Sequence, residues 1–133
     1  MTLVIDASVA AKWVLPEPDS AAAVAIRTTD DELVAPSIAW AELGNAIWKA
    51  VRRRDLAAGD AAETLRVAMA HYARLVPLDQ CAERAIQLAT SLRHPIYDCF
   101  YLALAERDNV PLVTADETMF AAARKAKIKV RRL

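Results

Sequence analysis

Residues 96–116 read IYDCFYLALAERDNVPLVTAD, and how this stretch folds decides how the rest of the chain is read. Pro95 cannot continue a helix arriving from upstream, so a new helix is expected from Ile96 to about Asp108. Cys99, Phe100, Tyr101, Leu102, Ala103 and Leu104 are almost uninterruptedly apolar, which predicts a helix buried on more than one face. Asn109 and Pro111 interrupt it. Pro111-Leu112-Val113-Thr114 is then a short strand, and Asp116 lies just beyond its end. A buried helix feeding a short apolar strand is the building unit of a parallel sheet.

The same pattern recurs upstream. Leu3-Val4-Ile5 is a β-branched run ending at Asp6 and predicts a buried, central strand. Ser8 is placed to cap a short helix through Trp13, ended by Pro16 and Pro18. Asp19 or Ser20 opens a helix to about Thr28, and Leu33-Val34-Ala35 is a second strand. Pro36-Ser37 opens a long helix to about Arg54, with Ile38, Leu43, Ala46, Ile47 and Val51 at helical period. Gly59-Asp60 starts a helix through about Tyr72, and 75–78 is extended. Asp79 caps a helix to about Leu92. Glu117 to Ala126 forms the last helix and 128–130 the last strand. No repeat or linker divides the chain, so residues 1–133 are expected to form one α/β domain with a short-stranded parallel sheet between helices.

Composition agrees. Apolar residues make up 56% of the 133, enough for one core without staples, and only two are glycine. Formal net charge is zero, so no global field draws the chain to nucleic acid and any such contact must be local. Cys81 and Cys99 sit in apolar helical contexts and read as buried free thiols, which suits a reducing cytoplasm. The apolar start is interrupted by Asp6 and Lys12 and reads as neither signal peptide nor membrane span.

Four acids stand out. Asp6 and Asp116 follow strand ends, where ligands bind in open parallel sheets. Glu42, in AWAELGNAIWK (39–49), and Asp98 are embedded in apolar helical sequence and need a partner there. Singly, each has a plain reading as a cap, a turn residue or a dipole complement. Together they suggest a convergent site. Like charges brought together raise one another's pKa, and a divalent cation removes that penalty. All-carboxylate donors favour Mg²⁺ or Mn²⁺ over Zn²⁺.

VIDASV (4–9), the glutamate of AWAELGNAIWK and the 96–116 segment, in that order, resemble PIN-domain proteins, and more narrowly VapC-type toxins. The resemblance spans essentially the whole chain. It implies a PIN-like α/β/α sandwich and an endoribonuclease that hydrolyses RNA phosphodiester bonds with Mg²⁺ or Mn²⁺. It assigns Asp6, Glu42, Asp98 and Asp116 to the catalytic metal site, with Ser8 and Thr114 orienting them. It also implies a cognate antitoxin, laid as an apolar segment between helices, and a homodimer. Trp40, Ile47, Trp48 and Val51, with Val24 and Ile26, are the expected exposed patch. The alternatives are an RNA-processing nuclease without an antitoxin and a non-catalytic scaffold. A haloacid-dehalogenase-type phosphatase needs a second Asp where Ser8 stands.

The remaining candidates read as structural. His71 and His94 lack a nucleophile to serve, and Tyr97 and Tyr101 read as packing residues, with contact to the site as the alternative. The basic runs 52–54 and 125–132 read as solvated surface, with RNA phosphate or an acidic antitoxin segment as the functional alternative.

Overall fold

The computed structural model describes residues 1–133. Five strands, β1 (Thr2–Ile5), β2 (Glu32–Pro36), β3 (Arg74–Val76), β4 (Leu112–Thr114) and β5 (Val130–Arg132), form one sheet in the order β3-β2-β1-β4-β5. Every pairing is parallel. Seven α-helices flank it: α1 (Ala7–Ala10), α2 (Ser20–Arg27), α3 (Ala39–Arg52), α4 (Ala61–Met69), α5 (Ala82–Leu92), α6 (Ile96–Asp108) and α7 (Glu117–Lys125). This is the expected α/β architecture. From β1 the chain winds outward through β2 to β3, then returns across the sheet to β4 and winds outward again to β5. The reversal point lies between β1 and β4, where open α/β sheets present their ligand crevice.

The 96–108 helix keeps its predicted bounds, and Cys99 through Ala105 are buried without interruption. Such burial on all sides requires partners on all sides, and α6 packs on α5 and on strands β1, β2 and β4. Strand β1 is central, with Val4 and Ile5 wholly buried.

Several boundaries differ from expectation. Ser8 is not a cap: it lies inside α1, whose N-cap is Asp6, and its hydroxyl is used elsewhere. The turn of helix continues as a 3-10 segment, Ala11–Trp13. Helix α3 begins at Ala39 because Pro36 completes β2, pairing with Val76. Asp79 does not cap α5. Pro77 starts a 3-10 turn over Leu78–Gln80 that moves the cap to Cys81. The last strand starts at Val130 because Ile128 is still engaged in ending α7: its amide donates to Ala123 O at 2.9 Å.

That ending is general. Helices α3, α5, α6 and α7 are each followed by a left-handed residue, Arg54, Arg93, Asn109 and Lys127. The next amide reaches back five residues, as in Asp55 N to Ala50 O and His94 N to Ala89 O. Glycine normally fills this position; here side-chain-bearing residues do so at a conformational cost. Lys127→Gly is therefore expected to stabilise the fold by about 0.5–1 kcal/mol in urea unfolding, relief of strain outweighing the added freedom of the unfolded chain. A destabilised variant would show that the Lys127 side chain contributes contacts worth more than the strain.

Candidate active site

Asp6 leaves the C-terminal end of β1, and the β1–β4 register places Ile5 beside Val113. The next residues along, Asp6 and Thr114, therefore stand side by side. Asp6 is 4% exposed, and one oxygen, Oδ2, takes both of its hydrogen bonds, from Ser8 Oγ at 2.5 Å and Thr114 Oγ1 at 2.8 Å. Each hydroxyl also accepts a backbone amide: Ser8 Oγ from Ala115 N and Thr114 Oγ1 from Asp116 N. Two side chains predicted to orient the carboxylates thus anchor Asp6 and tie it to the start of the Asp116 loop.

Asp116 is the N-cap of α7, with Oδ1 accepting Thr118 N at 2.8 Å. Its plain reading as a cap therefore holds for one oxygen. Asp98 lies in the first turn of α6 and Glu42 in the first turn of α3. All four acids, with Ser8, line a single cleft of about 450 Å³. Lys12 and Lys49 are on its walls as well, Lys12 held by Pro18 O at 2.8 Å.

The electrostatics reflect this convergence. Burial pushes the Asp6 carboxyl up to about 6, with the two hydroxyls opposing and the charges of Asp98 and Asp116 adding to the rise. Burial also pushes Glu42 up to about 7, Tyr101 relieving it in part while Asp6 and Asp98 raise it further. Although Tyr101 is close enough to have this effect, neither its hydroxyl nor Glu42 Oε1 makes a hydrogen bond, and both atoms are buried. A buried carboxylate oxygen without a donor is costly, which marks this spot as fit for a cation. The free donors are all oxygens, the chemistry of Mg²⁺ or Mn²⁺. No three His, Cys, Asp or Glu side chains close into a ready-made cage.

One participant was missed from sequence. His94, set aside as structural, meets Asp98 Oδ2 through Nε2 at 2.7 Å. The two are four residues apart, a spacing that joins side chains on one helical face; Pro95 between them concealed it.

A sequence model of the PIN domain matches residues 3–126. The chain belongs to the PIN-domain family. It is 34% identical over 114 residues to Ribonuclease VapC12 of Mycobacterium tuberculosis, covering 86% of each chain. To Ribonuclease VapC3 of Pyrobaculum aerophilum it is 31% identical over 121 residues, 90% of this chain and 92% of that one. Among solved structures, the fold matches VapBC2 of Rickettsia felis bound to a promoter DNA fragment, with a TM-score of 0.74 at 14% identity, covering 100% of this chain and 99% of that one. It also matches FitAcB of Neisseria gonorrhoeae, with a TM-score of 0.63 at 19% identity, covering 96% and 95%.

In this PIN domain other expected features divide. Trp40 and Trp48 are exposed, at 44% and 53%, whereas Ile47 is buried and belongs to the core. Val24, Ile26 and Val51 are partly covered. Tyr101 is a packing residue as expected, but Tyr97 is not: it is 61% exposed. The basic runs are partly engaged, Arg52 over the Trp48 ring and Arg132 against Glu117 at 2.5 Å. Both cysteines are free and buried. No helix is long and apolar enough to cross a membrane.

The raised carboxyls of this PIN domain make its metal-free stability pH-dependent. Between the ordinary carboxylate range and about pH 6–7, the folded state holds protons that the unfolded state has released. Stability therefore falls as pH rises through that window. Metal-free protein is expected to melt higher at pH 5 than at pH 8. Asp6→Asn is expected to raise stability at pH 8 by about 2 kcal/mol by removing one buried repelling charge. Equal melting at the two pH values in EDTA would contradict the electrostatic account.

Proposed function

We propose that this PIN domain is a divalent-metal-dependent endoribonuclease, the toxin member of a VapBC-type toxin–antitoxin pair acting in the cytoplasm. The observation that carries the catalytic part is the set of four carboxylates on one cleft at the sheet's reversal point, with Glu42 Oε1 buried and unpartnered. The two VapC ribonucleases at 31–34% identity support the choice of RNA as substrate.

Asp6, Glu42 and Asp98 would hold Mg²⁺ or Mn²⁺, with Asp116 binding a second ion or acting through water. A divalent cation held there would supply positive charge against the phosphate and would acidify bound water. The protein's own part is positioning. Ser8 and Thr114 occupy Asp6 Oδ2, which leaves Oδ1 for the cleft. His94 fixes Asp98 in the same way, through Oδ2. Lys12 and Lys49 on the walls offset phosphate charge that the acids alone would repel.

RNA cleavage is expected with Mg²⁺ or Mn²⁺ and none in excess EDTA. Asp98→Asn and Glu42→Gln should each lower kcat/KM at least a hundredfold, a loss of about 3 kcal/mol of transition-state stabilisation. Undiminished cutting in EDTA would rule this mechanism out.

The partner reading rests on a second hollow, of about 280 Å³, between α3 and α4. Its lining is almost wholly apolar, including Trp48, Val51 and Leu65. An amphipathic antitoxin segment would lay its apolar face there, and Trp40 and Trp48 offer further surface to it or to a second copy. A toxin–antitoxin complex from Klebsiella pneumoniae shares the fold, with a TM-score of 0.63 at 18% identity, which supports a partner of this kind. Co-expression with the adjacent reading frame should yield a co-purifying small protein, and light scattering of the purified chain a homodimer. A monomer that co-purifies with nothing would leave the nuclease and remove the toxin role.

A further inference from the structure

A third hollow, of about 380 Å³, opens beside the acidic cleft and lies within the size range of small-ligand sites, about 300–1,000 Å³. The two are continuous, since Glu42, Asn45 and Asp98 line both. The rest of the hollow is different in character: Ile38, Ala41 and Pro95 give it apolar walls, and Tyr97 completes it. A lone exposed aromatic is ordinary on a protein surface. Tyr97 is distinguished by its position, one residue from a site carboxylate and on the wall of a pocket that opens into the site. Its backbone is held firmly as well. Pro95 sets the entry to α6, and the His94–Asp98 hydrogen bond spans its first turn.

We propose that this hollow is a nucleobase subsite. Resting on the ribonuclease reading above, it would receive one unpaired base of the RNA strand next to the scissile phosphate. The chemistry matches the division of the surface. The phosphate belongs in the cleft, where the lysines lie; the neutral base belongs in the hollow, whose lining includes Ile38, Ala41 and Pro95 and holds no Lys or Arg. Tyr97 offers a ring face for stacking, as aromatic side chains do for splayed single-stranded bases. Asn45, exposed on the shared wall, offers one acceptor and two donors to a base edge. Stacking on Tyr97 accepts any base, whereas pairing with Asn45 discriminates among them. The subsite therefore contributes both affinity and cut-site preference.

The test is steady-state cleavage of single-stranded RNA of mixed sequence by the purified chain with Mg²⁺ or Mn²⁺, with sequencing of the cut ends. Tyr97 is exposed, so its variants should fold. Tyr97→Ala is expected to raise KM about tenfold while kcat stays nearly constant, the range that loss of one stacked base produces. Tyr97→Trp, which keeps an aromatic face, should recover the lost affinity. Asn45→Ala should change the distribution of bases next to the cut. Wild-type cleavage with KM and cut sites unmoved in Tyr97→Ala and Asn45→Ala overturns the subsite and leaves the nuclease intact. If light scattering shows that Tyr97→Ala dissociates a homodimer, the ring packs against a second copy and the subsite also falls. A wild-type chain that cuts no RNA with either metal overturns the ribonuclease reading, and the subsite with it.

Discussion

The structure turns on one buried carboxylate oxygen. Asp6 Oδ2 accepts a hydroxyl from its own helix and another from the neighbouring strand, so it joins β1, α1 and β4 where the chain reverses its winding. Neither hydroxyl could do this freely. Each has to donate to the carboxylate while accepting an amide from the 114–116 turn, which fixes both rotors. Replacing Thr114 with an isosteric Val would leave Asp6 short of a donor and the Asp116 amide short of an acceptor, a double loss in a buried setting. The geometry of the cleft is therefore inseparable from the β1–β4 pairing.

That arrangement works against the stability of the metal-free fold. Burial and mutual repulsion oppose ionisation of Asp6 and Glu42, and two polar atoms, Glu42 Oε1 and Tyr101 Oη, are buried without partners. The opposing stabilisation comes from α6. Its buried run, Cys99 to Ala105, begins one residue after Asp98, so the helix that presents an acid to the cleft is also the one most deeply packed. A second tie is Tyr72, whose hydroxyl donates to Ile5 O at 3.0 Å and pins the last residue of β1. Rigid surroundings let a locally unfavourable cluster of charge persist.

Much of this was legible in the sequence. Strand-end positions gave Asp6 and Asp116, and apolar context gave Glu42 and Asp98, because burial of an acid leaves a pattern in its neighbours. Local signals that depend on tertiary competition were not legible. Ser8 has the composition of a cap, yet a buried carboxylate nearby claims its hydroxyl. Asp79 has it too, yet the Pro77 turn displaces it. Helix endings were harder still. Sequence rules look for glycine, and this chain uses Arg54, Arg93, Asn109 and Lys127 instead. His94 was obscured because a proline beside it suggested a loop. Tyr97 and Tyr101 are indistinguishable by spacing, and only the packing separates an exposed ring from a buried one.

The margins of the sheet carry a further consequence. Its outer strands, β3 and β5, are three residues long; the first begins with exposed Arg74, and the second ends in exposed Arg131 and Arg132. Short, cationic borders make poor templates for another chain's backbone. Growth of the sheet across molecules is thereby discouraged, and with it the disordered association that open parallel sheets invite. The helical faces, where Trp40 and Trp48 are exposed, carry no such safeguard. The molecule can thus be sticky on one side without being prone to polymerise along the other.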